Sequence, residues 1–92
     1  MFYHGTTSKF GINGMILPAS VTGIKREGWR TKHTDEVFFT VSKCSAYMYA
    51  KKACEKYGGE PVVYAVKPIG RYYNTVNNEF VAPKALIVEK II

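Results

Sequence analysis

Residues 37–59 read VFFTVSKCSAYMYAKKACEKYGG, and the hydrophobic period changes in the middle of them. Val37 to Val41 is a short run of β-branched and aromatic side chains, the pattern of a buried strand. Ser42 then stands where a helix N-cap belongs. From 43 to 57, Ala46, Tyr49, Ala50, Ala53, Cys54 and Tyr57 recur at three- and four-residue steps and build one apolar helix face. Gly58-Gly59 ends the helix. A buried strand feeding one well-capped helix sets the class: sheet and helix in one small domain.

The flanks add strands. "MFYH" at 1–4 reads as a short strand, although chain ends are usually polar and loose. "SKFGINGMILPASVTG" (8–23) is broken by Gly11, Gly14, Pro18 and Gly23. It predicts mostly loop, with a brief extended piece at Met15–Leu17. "IKREGWRTKHTDE" (24–36) is polar and basic and predicts a loop with at most one helical turn. "PVVYAVKP" (61–68) is a strand with a proline at each end. "IGRYYNTVNN" (69–78) is a turn-rich connector, and "EFVA" and "ALIVEKII" are two strands separated by Pro83-Lys84. The expectation is an α+β domain over 1–92, with roughly five strands in a small, split or strongly twisted sheet and one main helix.

Composition bounds the function. The chain has 92 residues, 47% of them apolar, enough for one ordinary core. The formal charge of +6 suits acidic partners such as nucleotides or nucleic acid, and equally suits plain solubility. No segment has the run of about 18 apolar residues that a membrane helix needs, so no membrane partner is expected. Cys44 and Cys54 fall on the same predicted helix, too far apart to pair. A reduced, cytoplasmic protein with free thiols is the expectation. His4, His33, Cys44 and Cys54 offer no close ligand pairs, so no metal site is expected.

The candidate chemistry is His4-Gly5-Thr6, the Phe38 strand with its helix, and Glu79. Singly, each has an ordinary reading: a hydrogen-bonded strand histidine, a core phenylalanine, a surface carboxylate. Their order along the chain, "FYHGT", then "VFFTVSKCSAYMYAKKA", then "NNEFVAPKALIVEKII", resembles the ADP-ribosyltransferase superfamily. It is most similar to the branch of the poly(ADP-ribose) polymerases and the small rifampin ADP-ribosyltransferases, with their H-Y-E arrangement. "GGEPVVYAVKPIGRYY" is similar to the GEP-x-VY-x-V-x-P-x-G segment of the rifampin-modifying enzymes. The individual motifs are short; their collinearity over most of the chain carries the resemblance.

The resemblance implies a mostly antiparallel, split ADP-ribosyltransferase-like sheet and transfer of ADP-ribose from NAD, the co-substrate, to an acceptor it does not name. It implies that His4 bonds the nicotinamide ribose, that the Gly5 backbone meets the carboxamide and that Thr6 reaches the ribose-phosphate. Glu79 would grip the ribose 2′-hydroxyl and stabilise positive charge developing there. Phe38 stands where the family has its site tyrosine; its ring can stack but has no hydroxyl. Either Tyr47 or Tyr49 would give a second stacking surface, the spacing favouring Tyr49. Ser42, or alternatively Ser45, would face nicotinamide, and Arg30 or His33 would meet the pyrophosphate. Trp29 is read as a core anchor or an adenine cap. In the rifampin enzymes the acid falls where this chain has Asn74-Thr75, which leaves Glu79 as the nearest carboxylate. Two other readings stand beside the transferase: a non-catalytic NAD or ADP-ribose binder, prompted by Phe38, and a basic nucleic-acid-binding module.

Overall fold

The computed structural model describes residues 1–23, 32–76 and 78–92. The chain runs β1 (Phe2–Thr7), a single 3-10 turn (Ser8–Phe10), β2 (Met15–Ile16), the one-turn helix α1 (Ala19–Thr22), β3 (Val37–Thr40), α2 (Lys43–Tyr57), β4 (Pro61–Ile69), β5 (Tyr73–Asn74), β6 (Glu79–Ala82) and β7 (Lys84–Lys90). This is an α+β domain with one main helix. Among the described residues the sheet has seven strands in the order β2-β7-β4-β1-β3-β6-β5, and every pairing is antiparallel. No described helix is long and apolar enough to cross a membrane.

The main helix forms where its pattern predicts. Ser42 is extended and its side chain accepts from the Ser45 N–H, and the Gly58 N–H closes the other end onto the Cys54 carbonyl. Ala46 and Ala50, one turn apart, are fully buried and pack with Val63 and Tyr3. Ten residues of helix separate Cys44 from Cys54, about 15 Å of rise, and both are free thiols.

Seven strands replace the expected five because two are only two residues long. β2 is the extended piece at Met15–Ile16. β5, inside the expected connector, is held by Tyr73↔Val81 and Asn74↔Phe80. The expected loop at 8–23 also holds the 3-10 turn and α1. α1 lies between Pro18 and a left-handed Gly23, too short for any helical period to register. Trp29 and the rest of 24–31 lie outside the described residues.

The sheet falls into two halves. β1 pairs β4 along six residues, Phe2↔Val66 through Thr7↔Pro61, and Pro61 lies opposite Thr7, where no ladder N–H is required of it. β3 pairs β6 over its whole length, Val37↔Ala82 through Thr40↔Glu79. Between the halves, β1 and β3 share only Tyr3↔Thr40. Beyond that pair the strands part, and the chain crosses from β6 in one half to β7 in the other through Pro83 alone.

Two contacts hold the halves together and seat the helix. On one face Phe2 of β1 meets Phe39 of β3 and Phe80 of β6 edge-on, at 4.9 and 5.3 Å between ring centroids. They join a core of Ile16, Val37, Val66, Ala82 and Ala85. On the other face α2 lies directly on β1 at Gly5: a β-carbon there would sit 1.7 Å from the Ala46 carbonyl oxygen. The missing side chain is therefore what lets helix and strand touch.

Gly5→Ala cannot be absorbed by a side-chain rotation, since the clash is with backbone. It should cost at least about 3 kcal/mol, the upper end of ordinary overpacking, read as a lower urea midpoint with unchanged slope.

Candidate functional site

Beside the parting of β1 from β3 lies a cleft of about 700 Å³, lined by His4, Gly5, Thr6, Val37 and Phe38 from the two strands, by Tyr49, Lys52, Ala53, Lys56 and Tyr57 from α2, and by Phe10, Ile12, Asn13, Met15, Ile16, Leu17, Ala19 and Thr22 from the segment between β1 and the end of α1. The volume lies within the range of small-molecule sites. Beside it is a notch of about 40 Å³ lined by His4, Gly5, Phe38, Tyr49 and Glu79, among others. His4, Gly5, Phe38 and Tyr49 line both, so notch and cleft adjoin.

His4 is the first side chain past the last shared backbone pair. Its Nδ1 lies 2.6 Å from the Phe38 carbonyl oxygen. A carbonyl only accepts, so Nδ1 carries the proton, and in the neutral ring Nε2 is an acceptor. The histidine thus substitutes a side-chain bond for the ladder that has just ended.

Gly5 does a second thing. The Ser8 N–H bonds the Glu60 carbonyl on the β4 side. Backbone groups alternate along a strand, so Thr6 and His4 also turn theirs to β4, and Gly5 turns its N–H and C=O toward β3. That is the side from which β3 has moved away. Thr6 is 5% exposed and lines the cleft.

Glu79 begins β6 opposite Thr40. It is only 5% exposed, an expensive place for a carboxylate unless it is hydrogen-bonded. Tyr49 donates its hydroxyl to Glu79 Oε2 at 3.3 Å. The Glu79 backbone is gripped as well. Its carbonyl accepts from Asn74 Nδ2 at 2.9 Å, from the Thr75 hydroxyl at 3.1 Å and from the Thr75 N–H at 2.9 Å. Asn74 and Thr75 thus hold the start of the strand that carries Glu79.

Phe38 is 7% exposed. The His33 ring stands edge-on to it at 5.6 Å. His33 is fixed in turn by Glu36, whose Oε1 lies 2.8 Å from His33 Nδ1 and accepts the Tyr73 hydroxyl at 3.0 Å. Partial desolvation, then the Glu36 hydrogen bond and charge, push the Tyr73 phenol above its ordinary value.

Of the residues singled out in the sequence, His4, Gly5, Phe38, Tyr49 and Glu79 come together at the notch, and Thr6 lies in the adjoining cleft. Ser42 does not join them: its Oγ accepts the Ser45 N–H at 3.1 Å as the helix cap, and it lines neither cavity. His33 supports Phe38 and lines neither cavity. Arg30 lies outside the described residues. Tyr47 points outward, 37% exposed. Lys52 and Lys56 were not anticipated in the cleft. Their spacing of three and seven from Tyr49 puts them on the same helix side, and that was the available signal.

No family model matches the chain, and no curated protein matches it.

Tyr49→Phe removes a donor from a buried carboxylate and should cost about 1 kcal/mol in chemical denaturation at neutral pH, whereas Tyr47→Phe should leave stability unchanged. A raised folded-state pKa favours the protonated phenol. Tyr73 therefore contributes stability below the ordinary tyrosine range, and that contribution is lost as pH rises through its raised value. Glu36→Gln should bring the Tyr73 ionisation, followed by ultraviolet absorbance, back toward that of free tyrosine.

Proposed function

We propose that this protein is a minimal NAD-dependent ADP-ribosyltransferase of the H-Y-E type. One observation carries the reading: His4, Phe38 and Glu79, far apart in sequence, line one notch that adjoins a cleft large enough for a dinucleotide. The single shared pair between β1 and β3 supports an ADP-ribosyltransferase-like split sheet.

NAD supplies the chemistry as a ribose whose bond to a positively charged nicotinamide is ready to break. The residues do the rest. The Gly5 backbone, turned to the open side, meets the nicotinamide carboxamide. The rings of Phe38 and Tyr49 give the nicotinamide two walls. His4 Nε2, fixed as an acceptor by the Nδ1 bond to Phe38, takes a ribose hydroxyl. Glu79 places a carboxylate beside the sugar, where positive charge develops in the transition state. Lys52 and Lys56, one and two turns along α2 from Tyr49, set positive charge where the pyrophosphate would run. The notch therefore carries the carboxylate, and the adjoining cleft the two lysines.

Phe38 lacks the family's hydroxyl. A hydroxyl still enters the notch, from Tyr49 on the opposite wall, and it is bonded to Glu79.

The test is transfer of label from adenylate-labelled NAD into a cell lysate by the wild type and by Glu79→Gln. The wild type should label; the variant should lose at least about 100-fold in rate, the scale of removing one preorganised electrostatic group. NAD bound in calorimetry with no label from either protein would make the chain a non-catalytic binder. Neither binding nor label would remove the reading.

A further inference from the structure

The outward face of α2 differs from an ordinary solvated face. Its exposed residues come as adjacent pairs four apart: Lys43–Cys44, Tyr47–Met48, Lys51–Lys52 and Glu55–Lys56. That spacing lays them in one stripe along the helix, about 20 Å long from Lys43 to Lys56. The helix carries four lysines and one glutamate. In its middle Tyr47 is 37% exposed and Met48 49% exposed. The folding work of α2 is done on the opposite side, by Ala46 and Ala50, so packing does not account for a tyrosine and a methionine here.

Lys43, Tyr47 and Lys51 follow one another at four-residue steps. The Lys51 ammonium lies 5.7 Å from the Tyr47 ring centroid, and the Lys43 ammonium 5.6 Å from that of Tyr3. An exposed ring with a lysine one helical turn away on either side offers an aromatic surface to a base and positive charge to the phosphates beside it. This is the combination that binds single strands without sequence preference. The stripe also runs into the cleft, because Lys52 lies on both.

We propose that the outward face of α2 is a docking surface for single-stranded nucleic acid and that this strand is the acceptor. Charge decides the occupant: a strand carries one phosphate per nucleotide to meet the lysines, and its bases cover Tyr47. The docking is independent of the transferase reading, and the acceptor role rests on it. In the transfer, a lone pair of a nucleic-acid oxygen or nitrogen forms the bond to the ribose C1′. The C1′–N bond breaks, nicotinamide leaves with that electron pair, and the acceptor's proton passes to Glu79 or to solvent.

Fluorescence anisotropy of a dye-labelled 20-nucleotide single strand tests the docking. Binding should be saturable at 50 mM salt and should weaken with salt at a log–log slope no steeper than about −3, the value for four neutralised phosphates. The pair Lys43→Glu with Lys51→Glu, both outside the cleft, should lose at least tenfold in affinity while NAD binding stays unchanged. Tyr47→Ala should lose roughly fivefold or more. Lys67→Glu with Lys84→Glu makes the same change in net charge on the strands and should lose less than threefold. No binding at 50 mM salt, or an equal loss in the strand variant, overturns the docking surface. Label from NAD on the oligonucleotide supports the acceptor role; label only on lysate proteins, with the oligonucleotide bound but unlabelled, overturns it. Salt-sensitive binding that maps to Lys43, Tyr47 and Lys51 in a protein transferring no ADP-ribose to anything supports the docking surface while removing the transferase reading.

Discussion

β1 has to serve two half-sheets at once, and it can run alongside only one of them. It gives its full length to β4 and a single backbone pair to β3. Everything distinctive in the molecule follows from that unequal division. Buried backbone groups must find partners, and where the β1–β3 ladder stops, the strand faces a gap. His4 answers part of the demand with its ring, taking the Phe38 carbonyl. The cleft lies beside that gap, walled also by α2 and by the segment from Phe10 to Thr22. The aromatic contacts of Phe2 with Phe39 and Phe80 hold the two halves together beside the one shared backbone pair.

Helix α2 completes the arrangement, and Gly5 determines how closely. With no side chain in the way, the helix backbone rests on the strand at Ala46 and Ala50. That seating brings Tyr49 to Glu79 and carries Lys52 and Lys56 along the cleft wall. One glycine therefore has a structural and a site role together. Its side-chain direction belongs to the helix, and its backbone groups face the cleft.

How much of this could be read from the residues depends on whether the information was local. The strand expected over 37–41, which ends at Thr40, the Ser42 cap, the helix at 43–57 and its Gly58 end are local patterns that the structure keeps. β4 and β6 also form within one residue of where their apolar runs place them, while β7 runs Lys84–Lys90 where 85–92 is expected. β5 has no pattern of its own: Tyr73 and Asn74 are exposed and become a strand only because β6 is beside them. The convergence of His4, Phe38 and Glu79 was suggested by a collinear resemblance, since no spacing rule brings together residues so distant. Gly5 was read for its approach to a ligand, and its packing against Ala46 could not be seen without knowing that α2 crosses β1. Ser42 fits two roles in the sequence, and the structure places its side chain at the helix cap and outside both cavities.

The placement of β1 at the centre of the sheet has a kinetic side. Its ladder with β4 joins Phe2 to Val66 and Thr7 to Pro61, 64 and 54 positions apart, and the pairs of β3 with β6 run from 45 positions at Val37↔Ala82 to 39 at Thr40↔Glu79. Apart from α2, little of the native structure can form from near neighbours alone. Topologies built on such distant pairings fold in milliseconds to seconds, far slower than helical proteins of the same size. The helix can form early, but it has no strand to lie on until the loop-closure entropy of the β1–β4 pairing has been met. The cleft, which exists only where two distant pairings compete for one strand, would be among the last features to take shape.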